Sequence, residues 1–97
     1  MPCAYIIADI KINDMEKFKA YMAAAPGAVA AGGGEYIARA GKLETLEGPW
    51  KPSRLTLLKF ESLDKAHAFY NSEKYQAAKA QREGTTEYFN MVVVEGV

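Results

Sequence analysis

The chain has very few of the residues that most often bind metals or act as nucleophiles. Its 97 residues include one cysteine, Cys3, and one histidine, His67. A lone cysteine excludes an intramolecular disulfide and any zinc site built on paired cysteines. A lone histidine excludes an iron site of two histidines and one carboxylate within one chain. We therefore expect a protein that folds without a metal and holds no cofactor.

Excess charge and long apolar segments are lacking too. Twelve basic and 12 acidic residues give a formal net charge of zero, and no basic run alternates with aromatic residues, so we expect no nucleic-acid partner. No segment approaches the roughly 18 apolar residues of a membrane span, and the N-terminal residues do not have the pattern of a signal peptide. The sequence therefore predicts a cytoplasmic protein that binds no membrane.

Periodic apolar residues predict the order strand, helix, strand, strand, helix, strand within one domain, residues 1–97. The predicted strands are residues 4–12, 35–48, 54–60 and 88–96. The first helix is expected to begin after Asn13 as N-cap and to be interrupted at Pro26-Gly27. Ser62 and Ser72 are expected to cap two segments of the second helical region.

Both faces of the first and last strands carry apolar residues. In the last strand, Phe89, Met91 and Val93 share one face, while Val92 and Val94 share the other. The element order predicts an α+β, ferredoxin-like protomer with helices on one face of a four-stranded antiparallel sheet. A second copy of the chain is the simplest cover for the other face, so the pattern predicts a homodimer.

Three segments resemble a known family: "YIARAGKLETLEGPWKPSRLTLLKFES", "AHAFYNSEKYQAAKAQR" and "NMVVVEG". They are similar to the domain-of-unknown-function 1330 family of the dimeric α/β-barrel superfamily, and the resemblance extends from near Tyr5 to Gly96. It implies a dimer whose two sheets form a barrel, and it implies no reaction. Where that family commonly reads "ARGG", this chain reads "ARAG", so Ala40 replaces a glycine.

Arg39 and Arg54 are the first candidates for a binding site. They lie on the predicted second and third strands, which we expect to be neighbours. Two guanidinium groups at one pocket can bind a carboxylate or a phosphate. The alternative is that they form ion pairs with acidic residues, of which Glu47 is the sharpest candidate.

Tyr70, Ser72 and Tyr75 lie in "YNSEKY", at a break between two helical segments. These side chains are candidates for a hydrogen-bonding wall of a ligand cleft. The favoured alternative is structural, with Ser72 as a helix cap and the tyrosine rings packed on the sheet.

His67 is a weak candidate for a catalytic base, because histidine titrates near neutral pH. No pattern of carboxylates accompanies it in the sequence. The ordinary interpretation is a solvated or half-buried helix residue.

Trp50 lies between Pro49 and Pro52, which stiffen its loop. The ring can line the mouth of a ligand cleft near Arg39 and Arg54, or it can pack on an apolar surface. We favour packing at the edge that faces the partner copy, since burying an indole stabilises a protein by roughly 2–3 kcal/mol.

The leading hypothesis is a small cytoplasmic homodimer that binds a small organic molecule between its sheet and its helices. The arginines favour an anion as that molecule. Two other classes stay open: a cofactor-independent lyase, isomerase or monooxygenase of the dimeric α/β-barrel type, and a structural or interaction module without a ligand. The residues themselves do not identify a reaction.

Overall fold

The structure, a computed structural model, describes residues 2–97. The elements follow the predicted order, with the second helical region divided in two. They are β1 (Ala4–Ile12), α1 (Met15–Ala31), β2 (Glu35–Arg39), β3 (Leu55–Phe60), α2 (Leu63–Asn71), α3 (Glu73–Ala80) and β4 (Thr86–Glu95).

The four strands form one antiparallel sheet in the order β2-β3-β1-β4. The central strand β1 pairs with β3 and β4, so that Ile7 lies between Leu57 and Val92. This arrangement is the ferredoxin-like fold, and it confirms the fold class predicted from the sequence.

The alternation of β1 divides the sheet into a covered face and an open face. Ala4, Ile6, Ala8 and Ile10 are each less than 5% exposed and face the helices. The odd-numbered residues of β1 point to the opposite face, which no helix of residues 2–97 covers. Val92 and Val94 lie on this open face and are 58% and 48% exposed.

The start of α1 differs from the prediction by one residue. Asp14, not Asn13, is the N-cap, and its carboxylate accepts a hydrogen bond from the backbone N–H of Lys17 at 3.1 Å. The predicted capping box with Asn13 and Glu16 was therefore wrong. Asn13 instead donates its backbone N–H to the carbonyl of Thr85, which ties the end of β1 to the start of β4.

The predicted break at Pro26-Gly27 was also wrong, because α1 continues through both residues to Ala31. A proline inside a helix removes one N–H, so the carbonyl four residues earlier loses its helical partner. Here that carbonyl belongs to Met22, and it accepts a hydrogen bond from Arg39 instead. The contact gives the freed carbonyl a hydrogen-bond donor.

The segment after Gly34 is extended over a shorter range than predicted. The strand β2 ends at Arg39, and the residues from 40 to 54 are irregular. The irregularity in the β2–β3 ladder lies between Tyr36 and Ala38. Ala40 adopts φ = 54°, a left-handed conformation that glycine adopts more easily. The chain thus keeps here the backbone conformation that a glycine would favour.

Both serine caps predicted in the second helical region are confirmed. Ser62 accepts a hydrogen bond from the backbone N–H of Lys65, and Ser72 accepts one from that of Tyr75, each at 3.1 Å. Ser72 ends α2 and begins α3, so the bend between the helices falls on it.

No helix within residues 2–97 is both long enough and apolar enough to span a membrane.

Candidate functional site

A cavity of about 40 Å³ lies between the sheet and the helices. Apolar side chains of β1, β4 and α1 form most of its wall, among them Ile10, Phe18 and Met91. Arg39 and Arg54 also line it, and they are exposed and half-buried, respectively. Access to the cavity is therefore from the arginine side, because the opposite wall is part of the core.

The sheet places both arginines at this cavity. Arg54 comes directly before β3, where its carbonyl accepts a hydrogen bond from the backbone N–H of Ile10 at 3.0 Å. Its side chain lies on the same face as Thr56 and the buried Leu58, since strand residues alternate. Arg39 lies on β2 and pairs with Thr56 across the β2–β3 ladder. Arg54 lies one residue outside the strand to which the sequence assigned it, although β2 and β3 are neighbours as predicted.

Two contacts hold the guanidinium group of Arg39. Its Nη2 donates to the Met22 carbonyl at 3.4 Å, and its Cζ lies 4.7 Å from the centre of the Tyr36 ring. Stacking on an aromatic ring leaves the edge donors of a guanidinium group available to other acceptors. The arginine is thereby oriented without being neutralised.

Three tyrosines complete the polar part of the cavity wall: Tyr21, Tyr36 and Tyr75. The hydroxyl oxygens of Tyr21 and Tyr75 lie 2.9 Å apart, and one donates a hydrogen bond to the other. Burial, reinforced by Tyr75, raises the pKa of Tyr21 well above its ordinary value. Burial also raises the pKa of Tyr36, although the charge of Arg39 opposes this shift. Tyr21 and Tyr36 therefore stay protonated at neutral pH.

The charged groups that line the cavity all carry positive charge. Within residues 2–97 the ion pairs are Lys11 with Glu87 and Lys19 with Glu16, and neither involves an arginine. No acidic side chain lines the cavity. The proposed alternative, an ion pair between the site arginines and Glu47, is therefore not formed.

The remaining predicted site residues lie elsewhere, apart from Tyr75. Tyr70 accepts a hydrogen bond at its hydroxyl from Lys79 Nζ at 2.9 Å and lines a second, open groove between α2 and β4. His67 lies in the same groove and is exposed. The Oγ of Ser72 donates to the Phe69 carbonyl at 2.7 Å, in addition to its role as a cap.

Arg82, the third arginine near the site, packs on aromatic rings behind the cavity. Its Cζ lies 3.6 Å from the centre of the Phe89 ring and 5.5 Å from that of Tyr21. The positive charge beside Tyr21 opposes the rise in its pKa. Arg82 thus adds positive potential near the tyrosines but does not line the cavity itself.

Trp50 lies apart from the cavity, and its side chain contacts the open-face residue Asp9. The residue is 60% exposed, and its indole N–H donates to Asp9 Oδ2 at 3.1 Å. Asp9 Oδ1 accepts from the backbone N–H of Ser53 at 3.1 Å and from the hydroxyl of Tyr88 at 3.4 Å. These bonds fasten the irregular segment to β1 and β4, while the ring itself is largely uncovered in the protomer.

Sequence reasoning missed Tyr21 and Tyr36. A signal for Tyr21 was present, because it lies three residues after Phe18 and four before Ala25 on the buried side of α1. A tyrosine within an apolar stripe needs a hydrogen-bonding partner for its hydroxyl. Tyr36 lies three residues before Arg39, and nothing in that spacing indicates that the two stack.

No three His, Cys, Asp or Glu side chains among residues 2–97 are grouped so that they could hold a metal ion.

The family model for the domain of unknown function DUF1330 matches residues 3–97. No curated protein sequence matches the chain significantly.

Solved structures with the same fold are distant in sequence. Protein RPA0582 of Rhodopseudomonas palustris, of unknown function, superposes with a TM-score of 0.78 at 12% identity, over 99% of this chain and 83% of that one. A protein of Caulobacter crescentus CB15, provisionally named an antibiotic biosynthesis monooxygenase, gives 0.71 at 14% identity, over 99% and 91%. A dimeric ferredoxin-like protein of unknown function from Thermobifida fusca gives 0.65 at 14% identity, over 97% and 91%.

Proposed function

The chain belongs to the DUF1330 family, whose description names no activity, and we propose that it is a cytoplasmic homodimeric protein that binds a small organic anion. The binding site is the cavity between the sheet and α1. Arg39 and Arg54 bind the anionic group, and Tyr75 forms part of the inner wall.

The observation that carries this proposal is the pair of arginines at a cavity with no acidic side chain in its wall. Guanidinium groups bind carboxylates through charge-assisted hydrogen bonds, which are about twice as strong as neutral ones. Arg54 is half-buried without a counterion among residues 2–97, which is costly, so an incoming anion relieves that cost. The aromatic stacking of Arg39 supports the same conclusion, because it orients the cation without neutralising it.

The size of the cavity limits the ligand. A volume of about 40 Å³ accommodates only a few water-sized groups. The part of the ligand that enters is therefore a short apolar or weakly polar chain, and its charged end remains at the arginines. Extended cofactors and nucleotides are much too large for this space.

Association of two copies through the open sheet face is part of the proposal. Leu57, Ile7 and Val92 form an apolar row across three strands, and Val92 and Val94 are about half exposed. A stable interface needs to bury on the order of 1,200–2,000 Å² in total. The dimeric state in the name of the Thermobifida fusca protein supports this interpretation.

The competing enzymatic hypothesis draws support from the names of the Caulobacter crescentus protein and of a Nitrosomonas europaea protein that is named in the same way. In this chain the candidate base, His67, is exposed and lies outside the arginine cavity. A module without any ligand is the other alternative, and the small cavity volume favours it. Ligand titration separates both from the leading proposal.

The test of the binding proposal is calorimetric titration of the purified protein with short carboxylates, from acetate to pentanoate. We expect saturable binding that Arg54→Gln weakens at least tenfold. Lys51→Gln is the matched control, because it removes the same charge three residues away on the exposed loop. Absence of binding by every carboxylate, or equal loss in the two variants, would refute the proposal.

The test of the dimer is light scattering after gel filtration at micromolar concentration. We expect twice the protomer mass for the native protein and the protomer mass for Val92→Lys, which places a charge on the open face. Ala77→Lys, on the exposed side of α3, serves as control and should stay dimeric. A native protein that elutes as a protomer would refute the dimer.

The cytoplasmic assignment rests on the sequence, in which the one cysteine suits a reducing compartment. Fractionation of the source cells, followed by immunodetection, tests it. Recovery of the protein in a secreted or membrane fraction would contradict it.

A further inference from the structure

The distribution of hydrogen-bond donors around the cavity suggests a class of ligand. We infer that the bound molecule is a short oxo acid, a carboxylate with a carbonyl oxygen on its carbon chain, and that Tyr21 and Tyr75 select it by donating to that oxygen. This inference rests on the anion binding proposed above and specifies the ligand of the same site.

Donors occupy two separate parts of the cavity wall. The arginines lie at the accessible end, where they suit the carboxylate. The Tyr21–Tyr75 pair lies at the inner end, where Tyr75 is 1% exposed and is surrounded by aromatic rings, including that of Phe69 at 4.7 Å. A ligand that satisfies both parts needs an acceptor at each end.

The tyrosine pair has one proton more than its mutual hydrogen bond uses. Each phenol carries one O–H, and the bond of 2.9 Å between the oxygens uses one of the two protons. That bond is the one hydrogen bond that either hydroxyl makes to residues 2–97. The second proton therefore has no acceptor in the described part of the chain. A carbonyl oxygen in the cavity supplies the acceptor that is missing.

The same wall disfavours amines. An ammonium group needs acceptors or a negative charge when it leaves water. The cavity wall contains no Asp, Glu, His, Asn or Gln side chain, and its charged residues are both arginines. An amino acid of the same length as a bound oxo acid is therefore rejected at its amino group, even though its carboxylate fits.

Each tyrosine hydroxyl orients the other through their hydrogen bond, so the loss of either hydroxyl should affect ligand binding. Removing one oxygen leaves the remaining phenol free to donate its own proton to the ligand. It also removes the bond that fixes the direction of that phenol. We therefore expect the preference for oxo acids to fall in both single variants and to vanish when both hydroxyls are removed.

The experiment compares matched ligands that differ at one carbon, by calorimetry at neutral pH. The four-carbon set is 4-oxobutanoate, butanoate and 4-aminobutanoate; the five-carbon set is 4-oxopentanoate, pentanoate and 4-aminopentanoate, so that the oxo or amino group is remote from the carboxylate. We expect the oxo acid of at least one set to bind on the order of tenfold more tightly than the plain carboxylate, the factor that one hydrogen bond contributes. We expect no measurable binding of the amino acids.

Tyr21→Phe, Tyr75→Phe and the double variant identify the residues responsible. The double variant should bind the oxo acid and the plain carboxylate with equal affinity. Tyr70→Phe is the control, since that hydroxyl bonds to Lys79 outside the cavity, and it should keep the full preference. Circular dichroism confirms that each variant is folded.

The outcomes separate this inference from the proposal on which it rests. Binding of plain carboxylates that depends on Arg54 but shows no preference for oxo acids refutes the inference alone. A preference that survives in the double tyrosine variant also refutes it. If no carboxylate or oxo acid binds, the anion-binding function fails and the inference fails with it.

Discussion

Arg39 donates from Nη2 to the carbonyl of Met22, the one carbonyl of α1 that Pro26 deprives of its helical donor. The proline and the arginine thus form a pair across 13 residues of sequence. Pro26 would ordinarily destabilise a helix, but here it leaves the carbonyl of Met22 free to accept a hydrogen bond beside the cavity. The acceptor in turn anchors a cation of the candidate site.

Replacing Pro26 should uncouple Arg39 from α1. Pro26→Ala restores an N–H that bonds to Met22, and the arginine then loses its acceptor. We expect Arg39→Gln to cost less in the Pro26→Ala background than in the native one, with a coupling energy of about 0.5 kcal/mol or more. Urea unfolding of the four proteins measures it. Additive effects would show that the contact contributes nothing.

Substitution of Trp50 measures how much its hydrogen bond to Asp9 stabilises the fold. Trp50→Phe keeps a ring but removes the N–H that bonds to the largely buried Asp9, so we expect a loss of about 1–2 kcal/mol. Leu46→Ala, at a nearly fully exposed position of the same segment, should change stability by less than about 0.5 kcal/mol. Urea midpoints decide the comparison. If both variants unfold like the native protein, the hydrogen bond is not stabilising.

The same tryptophan distinguishes protomer from dimer. In the protomer the residue is 60% exposed, so Trp50→Ala should not cost the roughly 3–5 kcal/mol of stability that loss of a buried aromatic costs. A loss of that size, together with a protomer mass in light scattering, would mean that the partner copy covers the ring. Such a result would restore the packing role that we favour from the sequence.

Alkaline pH should destabilise the fold through the tyrosine cluster. The folded state holds the pKa of Tyr21 and Tyr36 above their ordinary value of about 10, so it binds more protons than the unfolded chain above that pH. Their contribution is complete below about pH 10 and is lost as the pH rises further, by up to about 1.4 kcal/mol per pH unit for each group.

The check is urea unfolding between pH 8 and pH 11. Tyr21→Phe should show a shallower fall in unfolding free energy than the native protein. Ser72→Ala, which weakens the fold without touching a tyrosine hydroxyl, should keep the native slope. Equal slopes in all three proteins would contradict the burial of protonated Tyr21.

Ser72 separates a structural role from a binding role. Its Oγ accepts from the Tyr75 N–H and donates to the Phe69 carbonyl, and its side chain is absent from the cavity wall. Ser72→Ala should therefore cost about 1 kcal/mol of stability, the usual value of an N-cap, while anion affinity stays within twofold. Ser72→Thr should keep most of the stability. A large loss of anion affinity in a folded Ser72→Ala protein would show that Ser72 contributes to ligand binding.

Two glycines should respond oppositely to the same substitution. At Gly34 an added Cβ would lie 2.5 Å from the ring of Phe60, which is 1% exposed, so Gly34→Ala should cost about 1–3 kcal/mol. At Gly27, inside α1, an added Cβ would meet no atom within 4 Å beyond its chain neighbours and the adjacent helix backbone, so Gly27→Ala should stabilise the helix by about 0.5–1 kcal/mol. Thermal unfolding measures both. A shift of the same sign in the two variants would contradict this packing.

The fold was predictable because apolar alternation is a local property of each strand. Residues 4–12 and 88–96 showed two apolar faces, and the sheet indeed buries one and leaves Val92 and Val94 on the other. The adjacency of β2 and β3, which brings Arg39 and Arg54 to one cavity, followed from the element order alone.

The parts that failed depend on contacts between distant residues. The rule that proline ends a helix did not allow for Arg39, which supplies the donor that the Met22 carbonyl loses. Tyr21 was missed, because its hydrogen-bond partner Tyr75 is 54 residues away. The packing of Trp50 against a partner copy stays a prediction; within the protomer its indole N–H donates to the carboxylate of Asp9 on β1. Sequence spacing carries no information about such partners.

Ser53 and Arg54 are adjacent in the chain, but they make contacts on opposite faces of the sheet. The N–H of Ser53 is fixed to Asp9 on the open face, while the next side chain enters the cavity on the other. A partner copy that docks over Asp9 and a ligand that engages Arg54 therefore act on the same short piece of backbone. If association of the protomers raises the affinity for the ligand by some factor, then bound ligand must raise the association constant of the protomers by the same factor. Ligand binding in the cavity should then change the association constant of the protomers.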